Sequence, residues 1–226
     1  MNTHKSFAAV IAIIGLLLYV VSMQTYVLAA STSNFTQTIN AGTLAVDIVN
    51  GSFVTVGSPS VAMGAVTFSF ACQTSTGTFG SATEQIYVQN PDAADNGWTV
   101  SLAGSAPTAV WDSAGTDYDF NDPTTSGCTD GGDADSLGGQ MTVDPSGGTI
   151  AVGNCSSCAT TNITKGSSNA YNQATVDSIT ILTGAAGSND IGDWTLQGVS
   201  ISQKIPAEQP AAADYDINMT LSIVAS

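Results

Sequence analysis

Apolar side chains at every second position are the feature that most constrains the fold of this 226-residue chain. The clearest example is the last segment, where Tyr215, Ile217, Met219, Leu221 and Ile223 alternate with polar residues. A period of two places alternate side chains on opposite faces of a strand, whereas an amphipathic helix needs a period of about 3.6 residues. No stretch after residue 35 shows the helical period. We therefore predict an all-β protein.

The same alternation recurs along the chain, between turn signals such as Asn50-Gly51 and Asn90-Pro91. Frequent turns keep strands short. Many short strands and no composition shift predict one β-sandwich domain of jelly-roll type with about nine to eleven strands. The clearest internal candidates are Leu44/Val46/Ile48, Val66/Phe68/Phe70/Cys72, Ile86/Val88, Trp98/Val100/Leu102, Ile179/Ile181 and Trp194/Leu196 with Val199/Ile201.

The N-terminus has the layout of an export signal. His4 and Lys5 precede an apolar run over residues 7–21, and small residues follow at Ala29, Ala30 and Ser31. This layout predicts a signal helix and signal peptide over 1–30, a single extracellular domain over 31–226, and membrane contact only through the N-terminal segment. Two alternatives are an uncleaved anchor, which needs about 20 apolar residues, and a pilin-type leader cut before residue 7, which lacks the usual early carboxylate. We expect a secreted or cell-surface location.

The charged residues of the chain limit which kinds of functional site it can form. After residue 30 the chain has Lys165 and Lys204 but no Arg and no His, and the whole chain has 18 acidic residues and a net charge of −15. Histidine-based triads, His-ligated zinc and arginine clamps for phosphate are therefore excluded from the exported part. Nucleic acid is not an expected partner, because no basic surface can displace its counterions. We predict a non-enzymatic protein.

An acidic loop over residues 112–144 holds eight aspartates and no basic residue. Asp117, Asp119 and Asn121 have the D-x-D-x-N spacing that opens many calcium loops. The loop is not an EF-hand, since Asp122 and Cys128 replace its glycine and its glutamate. We predict calcium ligands among Asp117, Asp119, Asn121, Asp122, Asp130, Asp133 and Asp135. The alternatives are a solvated acidic loop and a carboxylate pair of a glycosidase.

Four cysteines, an even number in an exported chain, predict disulfides. Four cysteines allow three disulfide connectivities. We favour Cys155–Cys158 as a local bridge and Cys72–Cys128 as a bridge from a strand to the acidic loop. A redox-active Cys-x-x-Cys pair would need a helix N-terminus, and this pair lies in a Gly/Ser/Thr-rich loop.

Four stretches resemble WxL-type bacterial cell-surface domains: 42–49 (GTLAVDIV), 97–104 (GWTVSLAG), 193–199 (DWTLQGV) and the closing 205–226. Trp194-Thr195-Leu196 matches the Trp-x-Leu motif. Trp98-Thr99-Val100 has Val for Leu, and Met219-Thr220-Leu221 stands where the second Trp is expected. The resemblance implies a β-sandwich associated with peptidoglycan. The opening also resembles exported fibre subunits of the TasA and camelysin kind, which implies a β-sandwich subunit.

These observations favour an exported structural or adhesion protein stiffened by calcium. Its expected partners are a cell-envelope polymer, other surface proteins or further copies of itself. One alternative is a filament subunit in which Ser33–Val49 completes the sheet of a neighbour by strand addition. Another is a glycan-binding or glycan-hydrolysing domain that uses Asp119 or Asp133.

Overall fold

The computed structural model describes residues 36–91, 96–131, 135–189 and 191–226. The chain divides into one unit over Met1–Ile39 and another over Asn40–Ser226. In the first unit the described residues, 36–39, form no helix or strand, and the predicted signal peptide at 1–30 lies outside the described residues. None of the described helical structure is long and apolar enough to cross a membrane.

Antiparallel strands dominate the second unit, so the all-β prediction is confirmed. The described residues form fourteen strands, more than predicted, because three of them are only two residues long. The one 3₁₀ turn among them is Thr124–Ser126. The strands are β1 Ala45–Val49, β2 Gln73–Phe79, β3 Gln85–Asn90, β4 Trp98–Gly104, β5 Val110–Trp111, β6 Tyr118–Asp119, β7 Gln140–Asp144, β8 Thr149–Val152, β9 Ile163–Lys165, β10 Asn169–Ala170, β11 Ser178–Gly184, β12 Gly192–Gln197, β13 Val199–Ile205 and β14 Met219–Ala225.

Two of the sheets continue into one another through shared chain segments. Their strand orders are β1-β3-β12-β8 and β10-β7-β13-β2. β12 and β13 are separated by Gly198 alone, and they pair with β3 and β2 on one side and with β8 and β7 on the other. The two sheets therefore form one long, bent surface. A third sheet has the order β14-β4-β11-β9, and β5 pairs with β6.

Glycines make the bend between the two continuous sheets. Gly80 and Gly198 have φ values of +85° and +78°, which L side chains rarely adopt. A Cβ added at Gly80 would lie 2.8 Å from the carbonyl oxygen of Leu196. The backbones at the bend are thus too close for a side chain, which lets the long strand change direction while its neighbours stay paired.

One apolar core joins the sheets into a sandwich-like fold. Trp98 of β4 and Trp194 of β12 are both buried, with ring centroids 5.7 Å apart. Val100, Ile181 and Leu196 belong to the same cluster. Because these residues come from alternate positions of β4, β11 and β12, their burial follows directly from the period-two pattern.

The strand predicted at Val66, Phe68, Phe70 and Cys72 is wrong. Residues 61–72 form no strand, and β2 begins at Gln73 with a largely polar sequence, QTSTGTF. The position beside β13 is taken by Gln73–Phe79, which pairs with it along its whole length. The alternation shows that residues 66–72 are suited to a strand, but the hydrogen bonds to β13 are made by Gln73–Phe79 instead.

Gly80→Ala should destabilise the protein by about 1–3 kcal/mol, because the added Cβ meets the carbonyl of Leu196 in a backbone conformation that alanine disfavours. Urea unfolding followed by circular dichroism measures the change. Gly57→Ala is the matched control, since nothing lies within 4 Å of its added Cβ. Equal stability of the two variants would contradict this account of the bend.

Candidate functional site

Two aspartates of the predicted metal loop are buried and bonded to the backbone. Asp119 Oδ1 accepts a hydrogen bond from the N–H of Phe120 at 2.6 Å. Asp122 accepts two, from Thr124 N–H at 2.7 Å and from Gly131 N–H at 3.0 Å. Asp122 thereby precedes and anchors the 3₁₀ turn Thr124–Ser126, a role typical of aspartate in tight loops.

The other predicted ligands do not converge on one point in the described residues. Asp117 Oδ1 accepts from Ser113 N–H at 3.0 Å, Asn121 Nδ2 donates to the carbonyl of Pro107 at 2.8 Å, and Asp135 Oδ1 accepts from Leu137 N–H at 2.9 Å. Asp130 is exposed, and Asp133 lies outside the described residues. In the described part of the chain, no three His, Cys, Asp or Glu side chains are grouped to hold a metal ion. The calcium site, which includes Asp133, stays a prediction.

A further aspartate from the C-terminal part of the chain ties the start of the acidic loop. Asp214 accepts from Ala114 N–H at 3.0 Å and from Ser113 Oγ at 2.9 Å. These hydrogen bonds stabilise the carboxylate form and lower the pKa of Asp214 below its usual value. The loop is therefore held by the backbone and side chains of the protein at several points.

Both favoured disulfides are confirmed. Cys72–Cys128 joins the segment before β2 to the acidic loop, and Cys155–Cys158 closes a short loop after β8. Bonded cysteines are compatible with an extracellular protein, because disulfides persist in oxidising compartments.

Sequence reasoning missed Asp193, a buried carboxylate beside the Cys155–Cys158 loop. It accepts hydrogen bonds from Tyr87 Oη at 2.6 Å, Asn154 N–H at 2.6 Å and Cys155 N–H at 2.8 Å. Burial, and then the neighbouring carboxylate, raise the pKa of Tyr87 to about 12. The available signal was an acidic residue within an otherwise buried strand, where a charge needs partners. Here the partners hold the disulfide loop against β12.

An apolar groove of about 360 Å³ opens beside β14. Its lining includes residues from the segments 59–63 and 215–221 and buried residues from several strands. Its apolar lining includes Ile48, Val61, Met63, Leu102, Ile217 and Met219. Glu84 and Asp216 are the acidic residues of the lining. The groove exposes part of the core that the sandwich otherwise closes.

β14 forms an open edge next to this groove. It pairs with β4 along its whole length, and no other described strand is hydrogen-bonded to its second side, although β1 lies close to β14. Its inward residues Met219, Leu221 and Ile223 are only half-buried. Such an edge carries unpaired backbone groups that can template another strand. The alternation of the C-terminal segment predicted this strand, but neither its open side nor the groove.

No protein-family model matches the sequence, and no curated protein and no solved structure is matched. The resemblance to WxL-type and TasA-type proteins therefore stays a prediction.

Asp122→Ala should lower stability by about 1–3 kcal/mol, because the N–H groups of Thr124 and Gly131 lose their acceptor. Thermal melts in EDTA and in millimolar calcium should show the same loss, with Asp112→Ala as the control, since Asp112 is exposed in the same loop and is not a predicted ligand. A loss confined to calcium would instead make Asp122 a ligand.

The calcium prediction itself expects the melting temperature of the parent chain to rise with calcium, and not to do so in Asp133→Asn.

Stability should fall as the pH rises from about 10 to 12. The pKa of Tyr87 is raised in the folded state, so above the unfolded value of 10.0 the unfolded chain loses the proton first and gains population. Unfolding free energies measured across this range should decline less steeply in Tyr87→Phe, which cannot titrate. Burial also raises the pKa of Tyr118 and Tyr171, and this contribution to the pH dependence is the same in the parent chain and in Tyr87→Phe. Identical slopes would contradict the assignment to Tyr87.

Proposed function

We propose that this chain is a non-enzymatic structural protein of the cell exterior whose copies join by strand addition at β14. The observation that carries this proposal is the edge of β14 to which no described strand is hydrogen-bonded, beside an apolar groove. In strand addition, backbone hydrogen bonds to the edge supply affinity, and alternate side chains fill the groove. The two disulfides and the lack of His and Arg after residue 30 fit an extracellular, non-catalytic role.

The donor is the segment ahead of β1. Part of the originally predicted donor, Ala45–Val49, is used within its own chain, because β1 pairs with β3. Residues 31–44 precede that pairing. Phe35 and Ile39 are four positions apart, so they share one face of an extended strand and can enter the groove together. Thr36 and Thr38 would face the other way.

The matched pair of variants is Phe35→Asp/Ile39→Asp against Thr36→Asp/Thr38→Asp. Both add two negative charges to the same segment, but only the first places them in the apolar groove. We expect the first to abolish ordered polymers and leave a folded monomer, and the second to assemble. Light scattering and electron microscopy score assembly, and thermal melts score folding. Polymers of equal length from both variants would contradict the proposal.

A competing peptide tests the acceptor side. A peptide of residues 31–44 should cap β14 and stop assembly, while the same peptide with Phe35→Asp and Ile39→Asp should have no effect. A parent chain that never assembles, but binds a small apolar molecule in the groove, would favour a ligand-binding function, for which a cavity of about 300–1,000 Å³ is typical.

A further inference from the structure

Residues 59–64, here called the strap, contribute to the lining of the groove beside β14 and belong to no strand. Val61 and Met63 both line the groove and pack against the core, whereas Ala62 between them is exposed. The strap therefore presents apolar side chains to the groove at every second position. An added strand would fill the groove with the same period of two.

The hydrogen bonds of the strap go to β2 and to the turn before β3. Gly64 N–H donates to the carbonyl of Thr76 at 2.7 Å, and the Ser75 hydroxyl donates to the carbonyl of Gly64 at 2.6 Å. Ser60 N–H donates to Oε2 of Glu84 at 3.1 Å. Among the described residues, no backbone hydrogen bond joins the strap to β14. The strap thus contributes side chains to the groove without pairing with the second side of β14.

Gly77 of β2 shows how closely the strap passes over this strand. A Cβ added at Gly77 would lie 2.5 Å from Met63 Sδ and 3.2 Å from Val61 Cγ1. The missing side chain at this position leaves room for both residues of the strap. These contacts and the hydrogen bonds above hold a segment whose other residues are exposed. A segment with few buried contacts and exposed backbone hydrogen bonds opens locally at a low cost in free energy.

We propose that the strap is an autoinhibitory contact, which competes with the donor segment of another copy for the groove. This inference rests on the proposed strand addition at β14. Val61 and Met63 cover apolar surface that Phe35 and Ile39 of the donor would otherwise cover. Only copies with an open strap then bind the donor at full affinity, so the measured dissociation constant is the intrinsic one divided by the open fraction. The strap thereby keeps monomers apart until the donor concentration is high.

The test measures binding of a fluorescent peptide of residues 31–44 to the chain carrying Phe35→Asp/Ile39→Asp, which cannot act as a donor. In this background, Ser75→Ala removes a hydrogen bond to the strap and leaves the lining of the groove unchanged. We expect it to lower the dissociation constant of the peptide about two- to tenfold, the range set by one hydrogen bond. Ser188→Ala is the matched control, because Ser188 is also a buried serine but lies outside the strap and β2.

Gly64→Ala should shift the affinity in the opposite direction. Its added Cβ would lie 3.4 Å from the carbonyl oxygen of Thr76, an ordinary contact, so alanine fits the closed strap. Alanine also restricts the backbone of the open strap more than glycine does. The closed state is therefore favoured, and we expect the dissociation constant of the peptide to rise about two- to fivefold. Thermal melts of each variant score folding.

The proposal is overturned if Ser75→Ala binds the peptide no more tightly than Ser188→Ala. Weaker binding by Ser75→Ala would make the strap a part of the acceptor surface, and a shift of Gly64→Ala in the same direction as Ser75→Ala would also contradict competition. A peptide that binds no variant, nor the chain from which they are made, contradicts strand addition itself. The strap is then judged with the neutral apolar dye Nile red, of which Ser75→Ala should bind more than Ser188→Ala. Equal binding of the dye would overturn the strap as well.

Discussion

Backbone pairing along one bent strand is the interaction on which the rest of the structure depends. The segment Gly192–Ile205 is paired on at least one side except at Gly198, and Trp194–Leu196 and Ser200–Lys204 are paired on both sides. Its inward residues, among them Trp194 and Leu196, form the centre of the core. Every neighbour must bend where it bends, which explains why a left-handed glycine occurs at Gly80 on the adjacent segment. The positions of β1, β2, β7 and β8 follow from this one element.

The acidity of the chain has different consequences at different depths. Buried carboxylates such as Asp122 and Asp193 are satisfied by backbone N–H groups and a tyrosine hydroxyl, so they organise loops. Exposed carboxylates such as Asp130 contribute to a surface on which copies repel one another. Apolar surface is exposed beside β14, where Glu84 and Asp216 also line the groove, and along residues 66–70.

Much of the fold could be predicted because the alternation of apolar and polar residues that marks a strand is visible within a short stretch of sequence. The alternation around Trp98, Trp194 and the C-terminal segment predicted β4, β12 and β14, and the sequence also indicated both disulfides. The same reasoning failed at Val66–Cys72, where a good strand pattern pairs with no described strand and Ser69 instead accepts a hydrogen bond from the N–H of Glu208. It also missed Asp193, whose partners Tyr87 and Cys155 are distant in sequence. Alternation measures the capacity to form a strand, whereas hydrogen-bond partners are contributed from elsewhere.

The sequence by itself determined the all-β class, the even set of bonded cysteines and the exclusion of histidine and arginine chemistry after residue 30, because these depend on residue type and local period. Only the tertiary structure decided which strand remained at an edge, where the core stayed open and which carboxylates were buried. Those properties depend on which distant segments compete for the same neighbour. Gln73–Phe79 gained the place beside β13, and that left Val66, Phe68 and Phe70 facing solvent.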